Sequence, residues 1–338
     1  MVANPDKMKK RILLLHTGGT IGMVRDRESG VLKPDLFYRS LLEFIPELSS
    51  MAELKVSIPF AMDSSQITCR HWIELARIIH DSADKTDGVV VTHGTDTLAY
   101  TSSALSFMLE SPPFPIILTG AQKPLGELRS DARNNLVNAI DLATTAIREV
   151  GLFFDYRLFR GNRATKSHNF NFDAFSSPNY PLLAEVGLES EIHQDHLLRY
   201  GKDFRLWDKL DNRLAVLRLC PGLDITAFEP PADCRAAVLI GFGAGTVPLL
   251  GGLLPARVRE WRRRGLVVVL HSETGAGRVM PALYESGRAL LELGVLPSLD
   301  MTFEAVVTKL MCLLGRHDDP GRVEQDFLRP LAGELTPA

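Results

Sequence analysis

Short apolar runs ended by polar, glycine-bearing clusters recur through the first half of the chain. Ile12 to Leu15 is apolar and breaks at His16 into Thr17-Gly18-Gly19-Thr20. Leu54 to Phe60 alternates and ends in Met62-Asp63-Ser64-Ser65-Gln66. Gly88 to Val91 runs into Thr92-His93-Gly94-Thr95-Asp96-Thr97, and Pro115 to Leu118 into Thr119-Gly120-Ala121-Gln122-Lys123-Pro124. Such runs, bounded by turn residues, read as strands. Between them the apolar spacing becomes helical. Asp35 opens a helix carrying Leu36, Phe37, Leu41, Leu42, Phe44 and Ile45; Trp72, Leu75, Ala76 and Ile79 share the face of a second. A third runs from Leu98 to Leu109, and Ser130 and Asp131 cap a fourth that continues to Ile147.

Strands alternating with helices of this length predict parallel βαβ units with right-handed crossovers. Gly151 to Phe154 adds another strand, and Leu214 to Leu219, Ala236 to Ile240 and Leu266 to Leu270 add three more. Arg218 interrupts the first of these three and places it near a sheet edge. Residues 188–212 are polar and lack a period. The expectation is therefore an α/β protein of two α/β domains. The larger, residues 1–187, has a mainly parallel sheet with flanking helices in a flavodoxin- or Rossmann-like arrangement. A linker spans 188–212, and a smaller α/β domain spans 213–338.

Composition narrows the function classes. The chain has 338 residues, 45% hydrophobic and 23% charged, with a net charge of −3. That balance fits a soluble globular protein and gives no electrostatic footprint for nucleic acid. No apolar stretch reaches the roughly 18 residues that span a bilayer. The four cysteines are scattered without a C-x-x-C pair, as expected of reduced thiols in the cytoplasm.

The position of the polar clusters carries the chemistry. All four fall at the carboxyl ends of predicted strands, where open α/β sheets bind ligands. Pooled, they offer Thr17, Thr20, Asp63, Ser64, Ser65, Thr95 and Asp96, with Lys166 from further along. A hydroxyl is a weak nucleophile and needs a base beside it; a lysine can serve, held by an aspartate. Thr95, Lys166 and Asp96 suit such a relay, and glycine-rich turns supply backbone N–H groups for an oxyanion. Competing chemistries lack their signatures. There is no H-E-x-x-H, no G-x-S-x-G and no G-K-[ST] phosphate loop. His193 and His196 sit in a polar stretch, and no metal site is expected. Gly241 to Thr246 reads as a tight turn, because the rest of the dinucleotide fingerprint is missing. His93, next to the candidate site, reads as structural.

Thr17-Gly18-Gly19-Thr20-Ile21-Gly22 and His93-Gly94-Thr95-Asp96-Thr97 together resemble the two signature motifs of the bacterial-type L-asparaginase family. The resemblance extends to Met62-Asp63-Ser64-Ser65, Leu128-Arg129-Ser130-Asp131, Arg160-Gly161-Asn162-Arg163 and Thr165-Lys166. Ala104 to Glu110 and the terminal Gly333-Glu334-Leu335-Thr336-Pro337 look like the cytoplasmic type I branch. The resemblance implies hydrolysis of the L-asparagine side-chain amide to aspartate and ammonia without a cofactor. A minor glutaminase activity is compatible with it. Thr20 would be the nucleophile and Thr17 a hydrogen-bonder within its turn. Thr95, Lys166 and Asp96 would form a second relay. Asp63, Ser64, Ser65, Thr95 and Asp96 would grip the substrate, with the Ala121 carbonyl near the leaving amide. Residues 23–33 would form a lid. The site would be completed by a neighbouring subunit, in a homodimer or homotetramer.

Two departures stand out. Val31 occupies the place where many members carry a lid tyrosine, which leaves Tyr284, from a partner subunit, as a candidate assistant to Thr20. His271-Ser272-Glu273-Thr274 lacks the cysteine of the allosteric site in some type I members, so non-cooperative kinetics are expected. The ammonia-supplying subunit of tRNA amidotransferases shares this domain but normally carries a further N-terminal domain, for which Thr20 stands too near the start. A non-catalytic amino-acid sensor would not need the paired nucleophile and base.

Overall fold

The structure is a computed structural model that describes residues 8–22, 41–199, 201 and 203–337. It divides into two compact units, Met1–Ser177 with Pro181–Asp208, and Pro178–Tyr180 with Lys209–Ala338.

In unit 1 the apolar runs form β1 (Arg11–His16), β2 (Glu53–Ser57), β3 (Gly88–Thr92), β4 (Ile116–Thr119) and β5 (Val150–Phe154). They are followed by β6 (Arg157–Arg160), the short hairpin β7 (Thr165–Lys166) and β8 (Phe175–Ser176), and then β9 (Ala184–Val186) and β10 (Ser190–Ile192). Eight of these make one sheet in the order β10-β9-β6-β5-β4-β3-β1-β2. The run β5-β4-β3-β1-β2 is parallel; β6, β9 and β10 pair antiparallel at the other side. Every residue of β3, β4 and β5 is buried, which is why these strands are unbroken apolar runs rather than alternating ones. The register puts Leu14 between Val56 and Val90.

Helices α1 (Cys69–Asp81), α2 (Leu98–Met108) and α3 (Ala132–Ala143) belong to the same unit. α1 buries Trp72, Leu75, Ala76 and Ile79, the predicted face. α2 is buried on nearly all sides, hydroxyls included. α3 stops at Ala143, short of Ile147, because the hydroxyls of Thr144 and Thr145 turn back onto the carbonyls of Asp141 and Leu142.

The stretch expected to be linker, 188–212, differs from that expectation. Ser190–Ile192 pairs with β9 inside the sheet, and Arg205–Leu206 pairs with Leu109–Glu110. Its polar composition is that of edge strands, with few buried side chains to set a period. The division between units falls after Asp208.

Unit 2 holds a four-stranded parallel sheet of β11 (Leu214–Arg218), β12 (Ala236–Gly241), β13 (Val267–Ser272) and β14 (Leu296–Pro297), in that order. β11 lies at the edge, as Arg218 required. Helix α4 (Leu253–Arg263) packs Leu254, Val258 and Trp261 into the core formed with Leu239, Val268 and Leu270. Gly241 to Thr246 is a tight turn closed by Phe242 and Thr246. Helices α5 (Glu285–Leu291), α6 (Phe303–Arg316) and α7 (Pro320–Phe327) complete the unit. Lys309 of α6 and Glu334 form a fully buried ion pair. Lys309 Nζ also donates to the carbonyls of Phe327 and Arg329, and Glu334 accepts the N–H groups of Leu331 and Ala332. No described helix is long and apolar enough to cross a membrane.

Candidate active site

β2, β1, β3 and β4 are neighbours in the sheet, so the four polar clusters after them emerge side by side. Their backbones are in contact. Thr17 Oγ1 donates to the Thr92 carbonyl at 2.9 Å, and Met62 N–H to the Thr17 carbonyl at 3.1 Å. Thr17 is buried, and its hydroxyl bonds across to the neighbouring strand end rather than within its own turn. Gly18 and Gly19 have φ of 104° and 77°, angles that side chains rarely adopt. A Cβ on Gly19 would lie 2.5 Å from Gly94 Cα, and one on Gly94 would lie 2.7 Å from the Ser64 side chain. Thr20 then opens a short 3-10 turn, Thr20–Gly22. The buried His16 ring sits beneath this turn, its Nδ1 2.8 Å from Thr92 Oγ1. Burial lowers the His16 pKa to about 4, so the ring is neutral.

A cavity of about 220 Å³ opens between these turns, lined by Thr20, Asp63, Ser64, Thr95 and Asp96 with Gly18, Gly19 and Gly94. Lys166 joins from the β7–β8 hairpin. Its Nζ donates to Thr95 Oγ1 at 2.8 Å and to Asp96 Oδ1 at 2.6 Å. The lysine side chain is 17% exposed and the Asp96 side chain 70%, so the ammonium is sheltered while the carboxylate faces outward. Asp63 accepts the Ser65 N–H at 2.8 Å, and the Ser65 hydrogen bonds hold its carboxyl below the usual range. Asp63 therefore remains an anion at neutral pH. Ser64 is buried, its carbonyl accepting from the Thr97 hydroxyl.

The remaining expected residues are placed as follows. Ser65 and Ala121 are not among the cavity lining; Ser65 is exposed and Ala121 buried. Tyr284 belongs to unit 2, precedes α5 and is half exposed. The lid residues 23–33, including Val31, lie outside the described residues. Arg160 of the Arg160–Arg163 motif has a structural role: it forms a buried ion pair with Glu149 at 2.7 Å. Asp131 does not cap α3 with its side chain. Its carboxylate reaches back to the N–H groups of Gln122 and Lys123, while Asn135 donates to the Gly120 carbonyl. This brace fixes the Ala121–Gln122 turn.

Gln122 was not singled out by sequence reasoning. Thr95 Oγ1 donates to Gln122 Oε1 at 3.4 Å, so the hydroxyl lies between an amide oxygen and the lysine. Beneath Thr95 lies the fully buried His93, whose Nδ1 is 2.8 Å from the Gly94 carbonyl and Nε2 2.9 Å from Thr101 Oγ1. Trp72 Nε1 donates to the same hydroxyl at 2.9 Å. The only signal for these partners was the run of hydroxyls in an otherwise apolar α2, which marked a helix with polar work inside. Among the described residues, no three His, Cys, Asp or Glu side chains gather as they would around a metal ion.

The family model "Asparaginase, N-terminal" matches residues 11–198, and "Glutaminase/Asparaginase C-terminal domain" matches residues 213–327. L-asparaginase 1 of Escherichia coli is 39% identical over 336 residues, covering 97% of this chain and 99% of that protein. The solved thermostable L-asparaginase of Thermococcus kodakarensis is 36% identical, with a TM-score of 0.88 over 97% of this chain and 100% of its own. L-asparaginase I of Vibrio cholerae gives 37% identity and a TM-score of 0.86, over 97% of this chain and 99% of its own. With both family models matched in order and relatives aligned almost end to end, the chain belongs to the asparaginase family.

Proposed function

We propose that the chain hydrolyses the side-chain amide of L-asparagine to L-aspartate and ammonia through an acyl-enzyme on Thr20. The observation that carries this is Lys166 Nζ, held between the Thr95 hydroxyl and the Asp96 carboxylate beside a cavity that Thr20 also lines. In the first step the Thr20 oxygen attacks the amide carbon, and its proton passes to the departing nitrogen, which leaves as ammonia. In the second, water attacks the Thr20 ester and the aspartate is released. Thr95, with Lys166 as base and Asp96 holding it, moves the protons. The ionised Asp63 and the Asp96 side chain suit the substrate ammonium, and Ser64 and Ser65 its carboxylate. The Ala121 carbonyl is assigned to the leaving amide.

The same reading places the enzyme in the cytoplasm as a homodimer or homotetramer, with Tyr284 of a neighbouring subunit as the candidate assistant to Thr20. None of the four cysteines, all among the described residues, is in a disulfide, which suits a reducing compartment.

The test is ammonia release from L-asparagine by the purified chain alone, without tRNA or a protein partner. No release would overturn the reading. L-Glutamine in parallel sets the selectivity, for which one methylene is worth about 10–200-fold.

A further inference from the structure

We infer that His93 is a positioning residue that aims the Gly94–Thr95 peptide at the site, locked in one tautomer by Thr101 and Trp72. This inference rests on the asparaginase reading of Thr95. The directions of the hydrogen bonds follow from chemistry alone. The Gly94 carbonyl can only accept, so His93 Nδ1 carries the proton across their 2.8 Å contact. The ring is fully buried, and that burial holds its pKa at about 4. A neutral imidazole with Nδ1 protonated has a bare Nε2. That nitrogen accepts the Thr101 hydroxyl at 2.9 Å, whose oxygen is already filled on its other side by the Trp72 N–H at 2.9 Å. Trp72 sits on α1 and Thr101 on α2. Two helices and one strand end therefore agree on one orientation of the ring.

The consequence falls on Thr95. In a trans peptide the N–H points opposite to the C=O. Drawing the Gly94 carbonyl toward a buried ring turns the Thr95 N–H the other way and fixes the start of the Thr95 backbone. The Thr95 hydroxyl must meet both Lys166 Nζ at 2.8 Å and Gln122 at 3.4 Å, so a rotated peptide would break the relay. A misplacement of about 1 Å can cost about 10²-fold in rate.

The experiment compares His93→Asn with His93→Gln in asparagine-dependent ammonia release. Asparagine places an N–H near the position of Nδ1 and can keep the Gly94 bond; glutamine reaches toward Thr101 and loses it. His93→Asn is expected to keep kcat within about tenfold of wild type, and His93→Gln to lower it about 10²-fold with a much smaller change in KM. A histidine that merely fills space would give equal losses in the two variants, or losses that follow thermal stability, and either result overturns the inference. If neither variant folds, nitrogen-15 spectra of the wild-type histidines at neutral pH decide. A protonated Nδ1 and bare Nε2 at His93 support the inference, and the opposite tautomer overturns it. Wild-type protein that releases no ammonia would refute the asparaginase reading instead, and the spectra would still judge the turn.

Discussion

Acid should loosen this protein well above the range in which its carboxylates titrate, and three buried histidines set the amount. His16 and His93 lie in unit 1 and His271 in unit 2, each with a pKa lowered by burial from the ordinary 6.5 to about 4. The unfolded chain takes up a proton near pH 6.5, whereas the folded ring resists until about pH 4. Stability from each ring is thus fully present above pH 6.5, falls as pH drops toward 4, and changes no further below that. The full difference is about 3.4 kcal/mol per ring, at about 1.36 kcal/mol for each pH unit. About 2 kcal/mol of that is lost by pH 5, or about 6 kcal/mol for the three, against a typical net stability of about 5–15 kcal/mol. His271 isolates one contribution, because its Nδ1 bonds Ser298 Oγ at 2.9 Å and asparagine can keep that contact. Hydrogen exchange of the Val267–Ser272 amides, corrected for intrinsic rates, reads the opening free energy of that sheet at pH 8 and pH 5. Wild type is expected to lose about 2 kcal/mol more than His271→Asn over that interval. Equal losses in the two proteins would refute the linkage.

Thr20→Ala and Thr95→Ala are each expected to reduce kcat by at least about 10³-fold with little change in thermal stability, since the nucleophile and the relay hydroxyl act as a unit. Near-wild-type ammonia release by either folded variant would remove that residue from the mechanism. Glu334→Gln should cost about 3–5 kcal/mol in urea unfolding, because it leaves the buried Lys309 charge without its carboxylate. Lys309→Met combined with Glu334→Gln should recover part of the loss; no recovery would assign the cost to the Glu334 bonds with Leu331 and Ala332.

The sheet was legible because β1, β3, β4 and β5 are buried on both faces and appear as apolar runs with no competing period. The cavity-lining residues were legible for a related reason, since each polar cluster directly follows such a run. Contacts between distant side chains and backbone were not. Asp131 looks like a helix cap because an aspartate before a helix normally is one; only the fold brings the Gln122 and Lys123 N–H groups to its carboxylate. His93 was read as structural, but its partners come from α1 and α2, and no local pattern announces a hydrogen bond from Trp72 to Thr101. The linker expectation failed because edge strands such as Ser190–Ile192 are polar enough to resemble loop.

The backbone contacts among the four turns bear on how such a site can be re-engineered. Gly19 rests on Gly94, Gly94 on Ser64, and a Cβ on Gly120 would lie 2.5 Å from the His93 carbonyl. Lengthening one turn, or adding a methyl group at one of these glycines, displaces its neighbours as well. Libraries meant to change substrate preference should therefore leave the turn backbones untouched and diversify only side chains that face the cavity. In this architecture loop grafting is a poor search direction, and the useful variation is confined to a few positions that share no backbone contact.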